Sequence, residues 1–167
     1  MNYATWLEAC RRHWYWYALA ALLVVADQWT KSLASELLSY GRPHHVLPFF
    51  DLTLLHNTGA AFSFLNDAGG WQRWAFSLLS AGVSILLIVW IPVQQRSLAR
   101  IALTLILAGA LGNLYDRVSL GYVVDFISLH YAGWYFPAFN LADSCISVGA
   151  ALLLLEWVIE PRSDPHD

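Results

Sequence analysis

The sequence predicts an all-α membrane protein in which four transmembrane helices carry short strand segments outside the bilayer. The 167 residues are 58% apolar and only 13% charged, whereas a soluble domain is about 45–50% apolar and about 25% charged. Four stretches approach the roughly 20 apolar residues that a membrane span requires. Nine Trp and eight Tyr fit the same class, because their rings favour the membrane–water interface. The alternative is a soluble helical bundle with an unusually apolar core.

The predicted spans form a single membrane domain, 1–167, and cover residues 14–33, 72–91, 98–117 and 138–157. The first span contains an apolar run from Trp14 to Ala26 and continues into Asp27 without a small-residue cleavage site. We therefore expect it to be retained rather than removed as a signal peptide. Pro92 ends the second span, because proline cannot continue a helix without strain.

Four spans place both termini on one side of the membrane, and the Lys/Arg bias of the short loops sets which side that is. One side carries the arginines at positions 11, 12, 96, 100 and 162, and the other carries Lys31, Arg42, Arg73 and Arg117. This bias predicts cytoplasmic termini. The bias is stronger if Lys31 and Arg117 neutralise nearby acids inside the protein.

Two segments, at about 39–66 and 121–135, are predicted to lie outside the membrane. His45–Leu55 is partly alternating and contains Pro48, whereas Gly121–His130 is rich in β-branched residues, so both indicate short strands. Open sheet edges cannot face lipid. The two segments are therefore expected on the non-cytoplasmic face, paired as a small platform.

Four acids fall near the non-cytoplasmic ends of the predicted spans: Asp27, Asp116, Asp125 and Asp143. An ionisable group inside a span costs roughly 2.5–3.5 kcal/mol, so each one is a candidate functional residue. Asp27 has Lys31 one helical turn away, and Asp116 is adjacent to Arg117, which favours structural ion pairs for both. Asp125 and Asp143 have no cation within a helical turn.

Asp125 and Asp143 are predicted to meet at a shallow depth. A helix running from Ile101 to Asp125 would be about 36 Å long, which exceeds the ~30 Å hydrocarbon core, and Gly121 offers a break before that. Asp143 is about 8 Å into the fourth span. Two carboxyl groups that close cannot both ionise, so one acts as an acid while the other activates water.

Asparagine and arginine side chains accompany these acids. Asn140 lies three residues before Asp143, and Asn113 lies four before Arg117, so each pair shares a helix face. Such donors suit a peptide carbonyl or an oxyanion. Hydrogen bonding between helices is the equally open alternative.

Other chemistries are less well supported. No helix carries a His-x-x-x-His or His-Glu pair, so no metal is expected, and no Gly-x-Ser-x-Gly motif is present. Tyr115-Asp116 matches half of the presenilin-type signature, but its Gly-x-Gly-Asp partner is absent. A net charge of −3 without a basic stripe indicates no nucleic-acid partner.

Five blocks, in order along nearly the whole chain, resemble the signal peptidase II family. They are Asp27-Gln28-Trp29-Thr30-Lys31, Asn57-Thr58-Gly59-Ala60-Ala61-Phe62, Gly112-Asn113-Leu114-Tyr115-Asp116-Arg117, Val123-Val124-Asp125-Phe126 and Phe139-Asn140-Leu141-Ala142-Asp143-Ser144. Any one block is modest support. Five in family order are specific.

The resemblance implies an aspartic endopeptidase of the bacterial inner membrane that removes the signal peptide of lipid-modified prolipoproteins, cutting before the diacylglyceryl-cysteine. It implies a small extracytoplasmic β-cradle, an active site facing the periplasm, no cofactor, and inhibition by globomycin-like compounds; we also expect a monomer in contact with membrane lipid. The implied catalytic residues are Asp125 and Asp143. Those implied to line the substrate site are Asn57, Gly59, Asn113, Arg117 and Asn140, and those in support are Asp27, Lys31, Asp116 and Ala142.

Two alternative functions belong to other classes of protein. A proton-coupled small transporter would use intramembrane carboxylates as a relay, but a relay should cross the membrane and these acids lie near one face. A structural subunit would leave Asp125 and Asp143 unexplained. The sequence leaves open which aspartate carries the proton.

Overall fold

The computed structural model describes residues 3–59 and 70–159, so positions 60–66 of the predicted periplasmic segment lie outside the described residues. The helices are α1 (Tyr3–Arg12), α2 (Trp14–Leu37), α3 (Trp71–Trp90), α4 (Ser97–Ser119) and α5 (Leu141–Ile159). The strands are β1 (His44–Leu47), β2 (Phe50–Asn57), β3 (Val123–Tyr131) and β4 (Trp134–Tyr135). A short 3₁₀ turn, Ile91–Val93, follows α3, with Pro92 inside it.

Three helices in the described part of the chain are long and apolar enough to cross a membrane: Trp71–Val93, Ser97–Ser119 and Leu141–Ile159. Helix α2 has 24 residues but is not among them. It opens with four aromatic residues, Trp14 to Tyr17, and carries Asp27, Gln28 and Lys31, all of which lower its hydropathy. The predicted four-span bundle is thus supported for three of its helices. Helix α1 is an addition that the sequence did not predict.

The exposed apolar surfaces of α3 and α5 argue against the soluble-bundle alternative. Leu78, Leu79 and Ile85 on α3, and Leu154 and Val158 on α5, are exposed on the outside of the molecule. Contiguous apolar patches of this kind are rare on soluble monomers. Helices α3 and α5 therefore have the surfaces of membrane helices.

Helix α4 is the central helix of the bundle, in contact with α2, α3 and α5. Small residues allow this packing. A Cβ added at Gly109 would overlap the Ala142 carbonyl oxygen of α5, and one added at Gly112 would lie 2.6 Å from Asp27 Oδ2 of α2. Helices without side-chain bulk at their crossing points approach closely in this way, and here the approach brings α2, α4 and the start of α5 together.

The chain leaves α4 at the break that the sequence predicted. The helix ends at Ser119, and Gly121 adopts a φ of +90°, a left-handed conformation that glycine adopts without steric cost. Strand β3 begins two residues later. The first residue of β3 therefore lies close to the end of α4.

The strands form one antiparallel sheet in the order β1-β2-β3-β4. The two segments predicted to lie outside the membrane pair as expected, with Leu55 of β2 opposite Asp125 of β3 and Asn57 opposite Val123. A further bridge joins Ile127 to Phe139. This bridge leads the chain from the sheet directly into the first turn of α5.

Candidate active site

Asp125 lies on β3 and is 2% exposed. Both carboxylate oxygens accept hydrogen bonds from asparagine amides: Asn57 Nδ2 donates to Oδ2 at 3.0 Å, and Asn140 Nδ2 donates to Oδ1 at 2.7 Å. The neighbouring strand positions this pair, since Asn57 closes β2 beside the start of β3. Asp125 is thus held from two sides.

Asp143 lies in the first turn of α5 and is half-buried. Asn140 caps this helix, because its Oδ1 accepts the backbone N–H of Asp143 at 2.8 Å, as N-cap asparagines do. Asn113 of α4 donates from Nδ2 to Asp143 Oδ1 at 2.7 Å. The cap therefore fixes the backbone of Asp143, and the bond from the central helix fixes its carboxyl group.

Asn140 connects the two aspartates. Its side chain is fully buried, its amide nitrogen bonds Asp125, and its oxygen holds the Asp143 backbone. The same nitrogen also donates to the Val124 carbonyl at 3.2 Å and to Asn113 Oδ1 at 3.3 Å. The structure thus brings the predicted Asp125, Asp143, Asn113 and Asn140 into one hydrogen-bonded network.

The network changes the acidity of Asp125. Burial, followed by the negative charge of Asp143, raises the pKa of Asp125 to about 7. The amides of Asn57 and Asn140 and the charge of Lys31 oppose this rise without cancelling it. Two carboxyl groups near each other in a poorly hydrated site share a proton in this way. Asp125 is suited to be the protonated member near neutral pH.

Arg117 borders the network. Its Nη2 lies 3.5 Å from the Gly59 carbonyl and its Nη1 lies 3.4 Å from the Asn113 carbonyl, and its guanidinium faces the Phe76 ring at 5.4 Å. Gly59 in turn donates its N–H to Asn57 Oδ1 at 3.0 Å. These bonds join the loop after β2 to the end of α4. The later residues of that sequence block, Ala60 to Phe62, lie outside the described residues.

Lys31 forms the centre of a buried ionic cluster. Its Nζ lies 2.7 Å from Asp27 Oδ2 and 2.9 Å from Asp116 Oδ2, and it donates to Asn113 Oδ1 at 3.1 Å. The pairing of Asp27 with Lys31 is as expected. The expected pairing of Asp116 with Arg117 was wrong, because adjacent residues of a helix point in different directions, and Asp116 instead faces Lys31 of α2.

The cluster holds both aspartate-bearing segments. Asp27 Oδ1 accepts the backbone N–H of Ala142 at 2.9 Å, at the start of α5. Asp116 Oδ2 accepts the backbone N–H of Val124 at 3.1 Å, one residue before Asp125. Each acid therefore pairs with Lys31 and also accepts a backbone N–H bond next to one candidate catalytic residue.

Gln28 belongs to this cluster and was missed. Its Nε2 lies 2.8 Å from Asp116 Oδ1, 3.2 Å from Asp27 Oδ2 and 3.2 Å from the Gly112 carbonyl. The only sequence signal was its place in the first of the five blocks, directly after Asp27. Because its side chain is uncharged, the search for ionisable groups in apolar segments did not identify it.

Two cavities meet at the site. One, of about 590 Å³, is lined by Asp125, Asn57 and the mostly polar and aromatic residues of the sheet face. The other, of about 610 Å³, is lined by Asp143, Arg117 and an apolar wall along β3 and α5. Asn57 and the segment 136–138 border both cavities. A chain crossing from one to the other would pass the two aspartates.

Helices with lipid-like surfaces, together with two linked carboxyl groups beside open cavities, are features of a membrane-embedded aspartic peptidase. The sequence pattern of the family described as "Signal peptidase (SPase) II" matches residues 19–159. The lipoprotein signal peptidase of Teredinibacter turnerae is 56% identical over 141 residues, covering 83% of this chain and 84% of that protein. That of Acinetobacter baumannii is 54% identical over 154 residues, covering 91% and 88%.

A solved structure agrees with these matches. A bacterial membrane enzyme determined by the in meso method at 2.3 Å resolution has a TM-score of 0.75 and 32% identity, covering 90% of this chain and 93% of that chain. The chain belongs to the signal peptidase II family. Its enzyme class is that of aspartic signal peptidases acting on lipoproteins, and the transporter alternative is not supported.

Proposed function

We propose that this protein cuts lipid-modified prolipoproteins immediately before the diacylglyceryl-cysteine and that Asp125 and Asp143 perform the hydrolysis. The observation that carries the catalytic assignment is the fully buried Asn140 amide, which bonds Asp125 and fixes the backbone of Asp143. Because one side chain positions both residues, their two carboxyl groups are suited to share a single water. Family membership supplies the substrate class.

Asp143 is the proposed base and Asp125 the proposed acid. Asp143 removes a proton from the water, and the water oxygen attacks the scissile carbonyl carbon. Protonated Asp125, whose pKa is raised to about 7 by burial and by Asp143, gives its proton to the carbonyl oxygen. Breakdown of the tetrahedral intermediate returns that proton to Asp125, while Asp143 passes its proton to the leaving nitrogen. The C–N bond breaks and no covalent enzyme adduct forms.

The substrate is proposed to lie across both cavities. The apolar wall beside Asp143, which includes Val123, Ile146 and Val148, suits the apolar part of a substrate that arrives within the membrane. Arg117 and Asn57 line the same cavity and are suited to bind peptide carbonyls near the scissile bond, with Gly59 and Asn113 in support. A globomycin-like inhibitor would occupy the same space.

The proposed function includes a membrane arrangement. Helix α2 is proposed as a fourth span, because its 24 residues are about 36 Å long at 1.5 Å per residue. Four spans in one domain, 1–167, put both termini on one side, which the Lys/Arg bias predicts to be the cytoplasm. The sheet is then proposed to lie in the periplasm as a β-cradle beside the inner membrane. The protein is proposed to act as a monomer without a cofactor for catalysis.

Cleavage by purified protein tests the substrate assignment. The protein in detergent is mixed with a diacylglyceryl-modified prolipoprotein and, as a matched control, with the same chain lacking the lipid. We expect release of the signal peptide from the lipid-modified substrate alone. Equal cleavage of both would contradict the assignment, as would cleavage of neither.

Cysteine labelling tests the orientation. Ser39 is exposed between α2 and β1, so Ser39→Cys should react with a membrane-impermeant maleimide in cells whose outer membrane is permeabilised. The variant is made in a background in which Cys10 and Cys145 are replaced by serine and alanine. Labelling only after the cytoplasm is opened would invert the proposed topology.

A further inference from the structure

A second cluster of ligating side chains lies on the sheet, away from the two aspartates. It contains His45 of β1, Asp51 of β2 and His130 of β3, whose ligating atoms all lie within 4.8 Å of one another. His130 is five residues along β3 from Asp125, or roughly 16 Å in an extended strand. The cluster takes no part in the proposed hydrolysis.

The strand register explains why the three residues meet. His45 lies directly opposite Asp51 across the β1–β2 pair, and Asp51 lies opposite Ser128 across the β2–β3 pair. His130 is two residues beyond Ser128 and so shares its face, because side chains alternate along a strand. Neighbouring His44 lies opposite Leu52 and faces the other way.

The distances suit a metal ion. His45 Nδ1 lies 2.7 Å from Asp51 Oδ1, and His130 Nε2 lies 3.2 Å from Asp51 Oδ2. Ligands of a tetrahedral zinc ion at 2.0–2.1 Å are about 3.3 Å apart. Small rotations of the side chains would therefore place three ligands around one ion, leaving a fourth position for water.

Two buried atoms inside the cluster lack a regular hydrogen bond. Asp51 is 0% exposed, yet its Oδ2 has no hydrogen-bond donor within the described residues, and neither has His130 Nε2 a hydrogen-bond partner there. The two atoms face each other as an ion pair at 3.2 Å, a contact that falls outside regular hydrogen-bond geometry. Buried polar atoms left in this state require an explanation, and a bound ion is one.

We infer that His45, Asp51 and His130 form a binding site for a divalent zinc-type cation in the extramembrane sheet. Two imidazoles and one carboxylate are ligands of this metal class. His45 is on the surface, with 76% of its side chain exposed, and lines an open cavity of about 380 Å³ with His130, so the ion has a path from solvent. The ion would tie the edge strand β1 to β2 and β3. No helix carries a histidine pair, so the sequence alone did not predict this site.

Zinc titration of protein purified without a histidine tag tests the site. The metal-free protein in detergent is titrated with Zn²⁺ by calorimetry, alongside His45→Ala, His130→Ala and the matched control His44→Ala. We expect one ion per chain for the unaltered protein and for His44→Ala. Affinity should fall by more than about 10-fold in the other two, since even the loss of an outer-shell partner costs 10–100-fold.

A spectroscopic readout makes the result independent of activity. Co²⁺ in place of zinc should give visible absorption in the unaltered protein, and His45→Ala should abolish it without loss of fold, because that side chain is on the surface. The inference is overturned if the unaltered protein binds no zinc, if His45→Ala binds it unchanged, or if His44→Ala weakens binding equally.

Discussion

Replacing Lys31 with methionine isolates the contribution of the buried ionic cluster. Lys31→Met keeps most of the side-chain volume but removes the cation that contacts Asp27, Asp116 and Asn113. Both acids are buried, so two carboxyl groups would lose their shared partner. Breaking one buried ion pair costs about 3–5 kcal/mol. That loss lowers the melting temperature by about 6–20 °C for a chain of this size.

The assay is thermal unfolding in detergent, with cleavage measured in parallel. Arg42→Met is the matched control, because Arg42 is an exposed cation, and surface substitutions change stability by about 0.5 kcal/mol or less. Activity should fall together with stability in Lys31→Met, since Asp27 and Asp116 hold the backbone next to both proposed catalytic residues. The triple variant with Asp27→Asn and Asp116→Asn should recover part of the stability. Equal melting temperatures for Lys31→Met and Arg42→Met would refute this reasoning.

Three further outcomes are expected. Gly112→Ala should lower the free energy of unfolding by about 1–3 kcal/mol, measured by thermal unfolding, because the new Cβ would lie 2.6 Å from Asp27 Oδ2. In the control Gly82→Ala the new Cβ meets nothing within 4 Å, so this variant should not be destabilised. Equal destabilisation of both variants would contradict the packing argument. Asn140→Ala should reduce kcat by at least about 10²-fold while its melting temperature falls, and a normal kcat would remove Asn140 from the site. The rate against pH should fall as pH rises through about 7, where Asp125 loses its proton, and an alkaline limb unchanged in Asp125→Glu or absent altogether would contradict its role as acid.

The sequence predicted the parts whose signal is local. The long apolar stretches located α3, α4 and α5, and Gly121 marked the point where the chain turns after α4. β-branched residues at 123, 124 and 127 indicated β3. The acids without a nearby cation, Asp125 and Asp143, stood out because an unpaired carboxyl group is costly near a membrane.

The rest depends on contacts between distant positions. Lys31 and Gln28 both bond Asp116, which lies 88 positions after Gln28 in the chain. The adjacency of Asp116 to Arg117 therefore led to the wrong predicted partner. The hydrogen-bonding role of Asn57 required the β2–β3 register, which a partly alternating segment does not specify. The zinc-type cluster arises from three strands, each contributing one residue, and no single stretch of sequence contains it.

The most direct test of the catalytic proposal is cleavage of a purified diacylglyceryl-prolipoprotein by Asp125→Asn and Asp143→Asn, each compared with Ser144→Ala. Both aspartate variants should insert and fold yet release no detectable signal peptide, because neither can complete the shared proton transfer. Ser144→Ala should retain activity, because water and not a side chain attacks the peptide bond. Substantial cleavage by either aspartate variant, or an acyl adduct trapped on Ser144 in the unaltered protein, would contradict the mechanism.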